Sequence, residues 1–105
     1  MKLHTLAVIP LLLAATARAQ ETGETLARTE LCYACHAMET ASLGPPWQAI
    51  AARHAPRKEL MREVLVGKVL RGGGGNWGLV PMVPNQRVTE ENARILVDWV
   101  LQQAP

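Results

Sequence analysis

Two cysteines three residues apart, in "CYACH" at Cys32–His36, constrain this chain more than any other feature. They are its only cysteines. That spacing cannot cross-link distant parts of a fold, and a disulfide between them would close a loop too small to stabilise much. The core is also thin in aromatics: no Phe, one Tyr (Tyr33) and three Trp (Trp47, Trp77, Trp99). Domains of this size often depend on a staple such as disulfides, a metal or a cofactor. If a staple exists here, it is bound at this pair.

The opening "MKLHTLAVIPLLLAATARA" has a basic start at Lys2, an apolar run from Leu6 to about Ala17, and small residues at Ala17 and Ala19. That pattern predicts a secretory signal peptide over residues 1–19 with an A-x-A cleavage site. An uncleaved anchor is the alternative, but the run is short of the roughly 20 residues that span a bilayer. Cleavage after Ala19 leaves 105 − 19 = 86 residues, 20–105, as one domain. Lys2 and Arg18 leave with the leader, so the 11 basic residues fall to nine and match the nine acidic ones. The domain is formally neutral. Nucleic-acid binding, which calls for a clustered basic excess, is not indicated.

The remainder reads as all-α. "TLARTEL" predicts a short first helix that begins near residue 22 and runs into the cysteines. "PWQAIAARHA" predicts a second, with Pro46 in its first turn and Trp47, Ile50 and Ala51 on one face. "APRKELMREVLVGKVLR" predicts a third, entered after Pro56. Its apolar stripe is Met61, Val64, Leu65 and Val69, with Lys58, Arg62 and Glu63 facing water. "GGGG" at 72–75 ends it, because glycine is costly inside a helix and favoured just past its end. After an irregular loop, Thr89 reads as the N-cap of a last helix, with Glu90 and Glu91 in its first turn. Ile95, Leu96, Trp99 and Val100 form its buried face. No period-2 strand, repeat or linker is evident.

C-x-x-C-H is the attachment signature of a c-type haem. Two thiols about one turn apart can each bond a vinyl group of one porphyrin, and His36 is then placed under the iron. Other readings stand beside it. A thioredoxin-like redox motif needs a βαβ pattern, which is absent. A zinc site wants four ligands, and Cys32, Cys35 and His36 supply three, with His54 as a spare. A plain local disulfide is the third.

If His36 takes one axial position, the opposite face of the iron needs a ligand. Met38 is too close to His36 to reach round a porphyrin. Met61 fits the apolar stripe of the third helix, and His54 ends a short helix among charged residues as a surface histidine. Met82 sits in "GLVPMVPN", where Pro81 and Pro84 forbid a helix or a central strand. Periodicity does not place it in the core. A methionine on a stiff loop far from His36 suits the sixth position, and Met/His ligation raises a haem's reduction potential. His54 and Met61 remain the competing candidates.

With these residues in place, "CYACHAMETASLGPPWQAIAARHA" followed by "GGGGNWGLVPMVPN" and "ENARILVDWVLQQ" resembles the small bacterial class I c-type cytochromes over essentially the whole domain. The resemblance implies a cytochrome c fold around one haem c, held by thioethers from Cys32 and Cys35 with His36 and Met82 as axial ligands. It implies that the Pro45 carbonyl accepts a hydrogen bond from His36 Nδ1–H, and that Trp77 donates to a haem propionate. It places Asn85 near the Met82 sulfur and Arg53 as a candidate propionate partner. The chain departs from the family pattern at Leu31, before the first cysteine, and at Val83, where a proline is common. It also has no Phe in its first helix, where Ala27 stands.

The function implied is a periplasmic one-electron carrier between redox partner proteins, not an enzyme, since both axial positions are filled. The alternative is a tightly bound haem subunit of a periplasmic dehydrogenase, for example one that oxidises sulfite or other sulfur compounds. Neither nucleic acid nor stable membrane insertion enters this expectation.

Overall fold

The computed structural model describes residues 1–11 and 21–105. The apolar run beyond Leu11 and the expected cleavage point after Ala19 lie outside the described residues. Residues 1–11 carry no helix or strand.

The chain then forms four α-helices: α1 (Gly23–Thr29), α2 (Trp47–His54), α3 (Lys58–Arg71) and α4 (Glu90–Leu101). Two 3₁₀ turns, Cys32–Ala34 and Ala55–Arg57, complete the regular structure. The all-α expectation holds, and the only extended pairing among the described residues is one antiparallel bridge between Gly73 and Met82.

Helix α4 is the centre of the fold and packs against α1, α2 and α3. It starts as expected: Thr89 accepts from the Asn92 N–H at 3.1 Å, and Glu90 and Glu91 occupy the first turn. Its buried face is Ala93, Leu96, Val97 and Leu101, with Ile95, Trp99 and Val100 only partly covered. The expected face is thus turned by one position, because three helices share α4 as partner and its apolar stripe is broad. Helix α1 crosses it at Gly23, where an added Cβ would run into Trp99. That close approach seats Trp99 directly against the first turn of α1.

Helix α1 does not run into the cysteines. It ends at Thr29, and Leu31 adopts a left-handed conformation at φ 63° that forces a new turn. Leucine seldom takes that conformation, and sequence periodicity carries no sign of it. Helix α2 begins where predicted, with Pro46 as the residue before its first turn and Trp47, Ile50 and Ala51 buried.

Helix α3 departs most from expectation. Its fully buried residues are Val66 and Gly67, while Val64 is 48 % exposed. Apolar residues stand on more than one side of this helix, so periodicity alone did not choose the face. Nor does Arg62 simply face water. It is half-buried and grips Asp98 of α4 with two hydrogen bonds, Nε to Oδ1 at 2.5 Å and Nη2 to Oδ2 at 2.8 Å. Such a two-pronged pair fixes geometry as well as charge. Arg94 extends it by bonding Glu63 and Glu90.

Candidate haem centre

The 3₁₀ turn after Leu31 places both thiols on one turn. Ala34 N–H donates to Leu31 O, Cys35 N–H to Cys32 O at 3.2 Å and His36 N–H to Cys32 O at 3.0 Å. Both cysteines are half-buried and unbonded to each other. Burial pushes the Cys32 thiol up, helped by the nearby charge of Glu30, so it stands protonated at neutral pH.

The segment after His36 folds back onto it. Gly44 N–H donates to Cys35 O at 2.7 Å, and Trp47 N–H to Ala37 O at 2.9 Å. This brings the Pro45 carbonyl 2.7 Å from His36 Nδ1. A carbonyl only accepts, so Nδ1 carries the proton and Nε2 presents its lone pair. That is the tautomer a metal-binding imidazole needs, and the carbonyl both aims the ring and raises its basicity. Gly44 lies so close that a Cβ there would sit 2.6 Å from His36 Cε1. On the other side the imidazole stacks on Trp47, with centroids 5.9 Å apart and planes 20° apart. Trp47 is itself 2 % exposed, edge-to-face with Tyr33 at 4.4 Å and with Trp99 at 4.9 Å.

Met82 is held differently from what its prolines suggest. Its N–H donates to Gly73 O at 2.7 Å, and Gly73 N–H donates to Met82 O at 2.9 Å. Gly72 makes this possible. It has φ 71° and ψ −163°, a region open essentially to glycine alone, and a Cβ there would strike the Met82 carbonyl.

Three residues further on, Asn85 ties the loop to two helices. Its N–H donates to Val69 O at 2.9 Å in α3. Its side-chain Nδ2 donates to Glu30 O at 3.0 Å, and its Oδ1 accepts from Arg87 N–H. Arg87 reaches the same helix end, bonding the Glu30 carboxylate and the Thr29 carbonyl. The two arms of the site therefore meet at the C-terminus of α1: Glu30 is two residues before Cys32, and Asn85 is three after Met82. Sequence reasoning missed this clamp because its partners are more than fifty residues apart. It missed the Gly44 approach too, for which the glycine in "SLGPP" was the only signal.

Arg53 and Trp77 are brought together. The guanidinium of Arg53 lies 3.4 Å from the Trp77 ring centroid, a cation–π contact, and its Nη1 donates to Asn76 O at 2.8 Å. Trp77 is 39 % exposed and Met82 36 %. Met38 packs against the core, and Met61 is half-buried on α3. His54, expected as a solvated or hydrogen-bonded surface histidine, has a buried Nδ1 with no partner among the described residues. Burial, then the charges of Arg53 and Arg57, hold it in the neutral form.

These observations fit a covalently held haem: two thiols on one turn, an imidazole of fixed tautomer, and a thioether on a braced loop. No family model matches the chain. Individual proteins do. It is 41 % identical over 81 residues to cytochrome c-551 of Azotobacter vinelandii, covering 77 % of this chain and 96 % of that one. It is 39 % identical over 99 residues to cytochrome c-552 of Nitrosomonas europaea, covering 94 % and 92 %. The crystal structure of wild-type Nitrosomonas europaea cytochrome c552 superposes with a TM-score of 0.73 at 39 % identity, over 76 % of this chain and 98 % of that one.

The chain belongs to the small class I cytochromes c represented by cytochromes c-551 and c-552. As a member it carries covalent haem c and transfers single electrons rather than catalysing a reaction. These relatives are named as cytochromes in their own right, which does not favour the dehydrogenase-subunit reading. Among the described residues, no helix is long and apolar enough to cross a membrane.

Proposed function

We propose that Cys32 and Cys35 hold the haem through thioethers, that His36 and Met82 are its axial ligands, and that the domain over residues 20–105 acts in the periplasm after loss of residues 1–19. Each thioether forms by addition of a thiol S–H across a vinyl group, with the sulfur bonded to one vinyl carbon and the hydrogen to the other. The observation that carries the reading is the 2.7 Å bond from His36 Nδ1–H to the Pro45 carbonyl, which leaves Nε2 as a ligand of set direction. Met82, pinned by its bridge to Gly73, is the matching thioether ligand. The contact between Arg53 and Trp77 supports reading the two as partners of a propionate. Asn85 acts on Met82 by anchoring its loop to Glu30, in addition to any contact with the sulfur.

With His36 and Met82 as its two ligands the iron would exchange an electron and bind no substrate. The test is the oxidised absorption spectrum, which should contain the weak methionine-to-iron charge-transfer band. Met82→Ala should abolish that band, lower the potential and let the reduced protein bind carbon monoxide, with the haem still attached. An unchanged spectrum in that variant would move the sixth ligand to His54 or Met61.

A further inference from the structure

His54 closes the buried face of α2. Trp47, Ile50, Ala51 and His54 recur at i, i+3, i+4 and i+7, the spacing of one helical stripe. The first three are 2 %, 9 % and 0 % exposed. The imidazole continues their row, and its Nδ1 is buried with no hydrogen-bond partner among the described residues. That environment selects a tautomer. A neutral ring can leave a bare lone pair on Nδ1 and carry its proton on Nε2, whereas a charged ring must hold a proton on both nitrogens. Protonation therefore puts a charge and a donor without an acceptor into a buried position.

Neighbouring charge opposes protonation as well. Arg53 and Arg57 both act on His54. Helix α4, on which α2 packs, carries Glu90, Glu91, Arg94 and Asp98, and α3 begins with Lys58 and Glu59. None of these carboxylates pairs with the ring. Glu90 is bonded to Arg94, and Asp98 to Arg62.

The ring sits at a corner of the fold. Helix α2 passes through the 3₁₀ turn Ala55–Arg57 into α3, and no side chain caps the start of either. Pro56 has no N–H to add a bond there. Arg53, the residue before His54, lies 3.4 Å from the Trp77 ring centroid and donates to Asn76 O at 2.8 Å. The corner thus holds one end of the loop that carries Met82.

We propose that His54 is a proton-operated latch on this corner. Neutral, it keeps α2 and α3 closed with Arg53 on Trp77. Protonated, it leaves the buried face, opens the corner and frees the Trp77 end of the Met82 loop. The latch goes beyond the carrier reading and does not depend on Met82 being the sixth ligand. An exposed ring binds a proton more readily than the buried one, so the open corner is the protonated form. The closed form is fully favoured above about pH 6.5, the ordinary histidine value. Its advantage falls below that pH, by up to about tenfold per pH unit, and levels off at the lower value of the closed form.

The test uses the haem-loaded domain from about pH 7.5 to about pH 4.5. Nitrogen-15 resonances of the His54 ring read its tautomer and its midpoint. Amide hydrogen exchange at residues 53–58, corrected for the intrinsic effect of pH, reads the corner. The ring should carry its proton on Nε2 at neutral pH and titrate below pH 6.5. Corner exchange should rise by about tenfold over the acid range, and the Trp77 indole resonances should move with the same midpoint. His54→Phe keeps an aromatic ring in the row and cannot be protonated, so its corner should not respond to pH. Arg57→Gln removes one opposing charge and should move the midpoint up toward 6.5. A proton resident on Nδ1, a midpoint at or above 6.5, or the same response in the native protein and His54→Phe would overturn the latch. Should His54→Phe not fold, the ring titration and the native exchange profile decide alone. Trp77 resonances that stay fixed while the corner opens would overturn the link to the loop. A His54 ring with the hyperfine shifts of an iron-bound imidazole would overturn the latch and make His54 the sixth ligand. A ring that titrates as expected in a protein without the methionine charge-transfer band would defeat the Met82 reading and leave the latch standing.

Discussion

Gly73 and Met82 exchange two backbone hydrogen bonds, 2.9 Å and 2.7 Å long, across a loop with no other extended pairing. The single bridge fixes the backbone of Met82 from both sides, while Asn85 and Arg87 fasten the next stretch of the loop to the end of α1. A methionine held this way would have little backbone entropy left to lose on binding iron.

Gly72 is the hinge of that arrangement, so Gly72→Ala should be costly. The substitution meets both a glycine-only backbone region and the Met82 carbonyl. We expect a loss of about 1–3 kcal/mol in denaturant unfolding of the holo-protein. The methionine charge-transfer band should weaken in the same variant. Full retention of both would mean that the bridge does not hold the ligand.

Gly44→Ala acts on His36. Its methyl group would press on His36 Cε1 and turn the ring away from Pro45 O. Loss of that hydrogen bond weakens the imidazole as a donor, stabilises the oxidised iron less and raises the reduction potential. Voltammetry reads the potential, and the hyperfine-shifted proton spectrum of the oxidised form reads the ring orientation. A variant with shifted ring resonances and an unchanged potential would exclude the hydrogen bond as a tuning element.

Buried Trp47 joins His36, Tyr33 and Trp99 in one aromatic group. Trp47→Ala should cost about 3–5 kcal/mol, the range for deleting a large buried aromatic. Trp47→Phe keeps an edge-to-face partner for Trp99 and should cost less. Guanidinium unfolding midpoints of the three proteins give the ranking, and equal midpoints would show that the group is not a core.

Asp98 supplies a pH-dependent part of stability. The hydrogen bonds from Arg62 hold its carboxyl below the usual range, with the charges of Arg62 and Lys58 assisting against partial burial. A lowered folded value means the contribution is complete above about pH 3.9, the unfolded carboxylate value, and is lost as pH falls through the folded value. The stability gap between the native protein and Asp98→Asn should therefore be widest near neutrality and close in acid. A gap that stays constant down to about pH 2 would contradict this linkage.

Much of the site was legible because its chemistry is local. Cys32, Cys35 and His36 are neighbours in sequence, and so are Gly44, Pro45 and Trp47. Helix starts were legible for the same reason: Thr89 bonds a residue three along, and Pro46 precedes its own helix. Faces were harder. In α3 and α4 the apolar residues cover more than one stripe, so which of them is buried depends on what lies opposite. Leu31 illustrates another limit. Its left-handed backbone is imposed by the turn that must lift the cysteines off α1, and no local propensity favours it.

The sequence by itself determined the cofactor motif, the helical class, and the neutral sum of charges, because each depends on residues within a turn of one another or on counting. Only the tertiary structure decided that Met82 is braced by Gly73 and that Asn85 serves as an anchor to Glu30. It also decided which charges pair: Arg28, Arg62, Arg87 and Arg94 hold carboxylates, Arg62 and Arg94 across helices. Those outcomes depend on contacts between residues far apart in the chain. Such contacts are set by how three helices share α4 as a common packing partner, and not by any preference of the residues that make them.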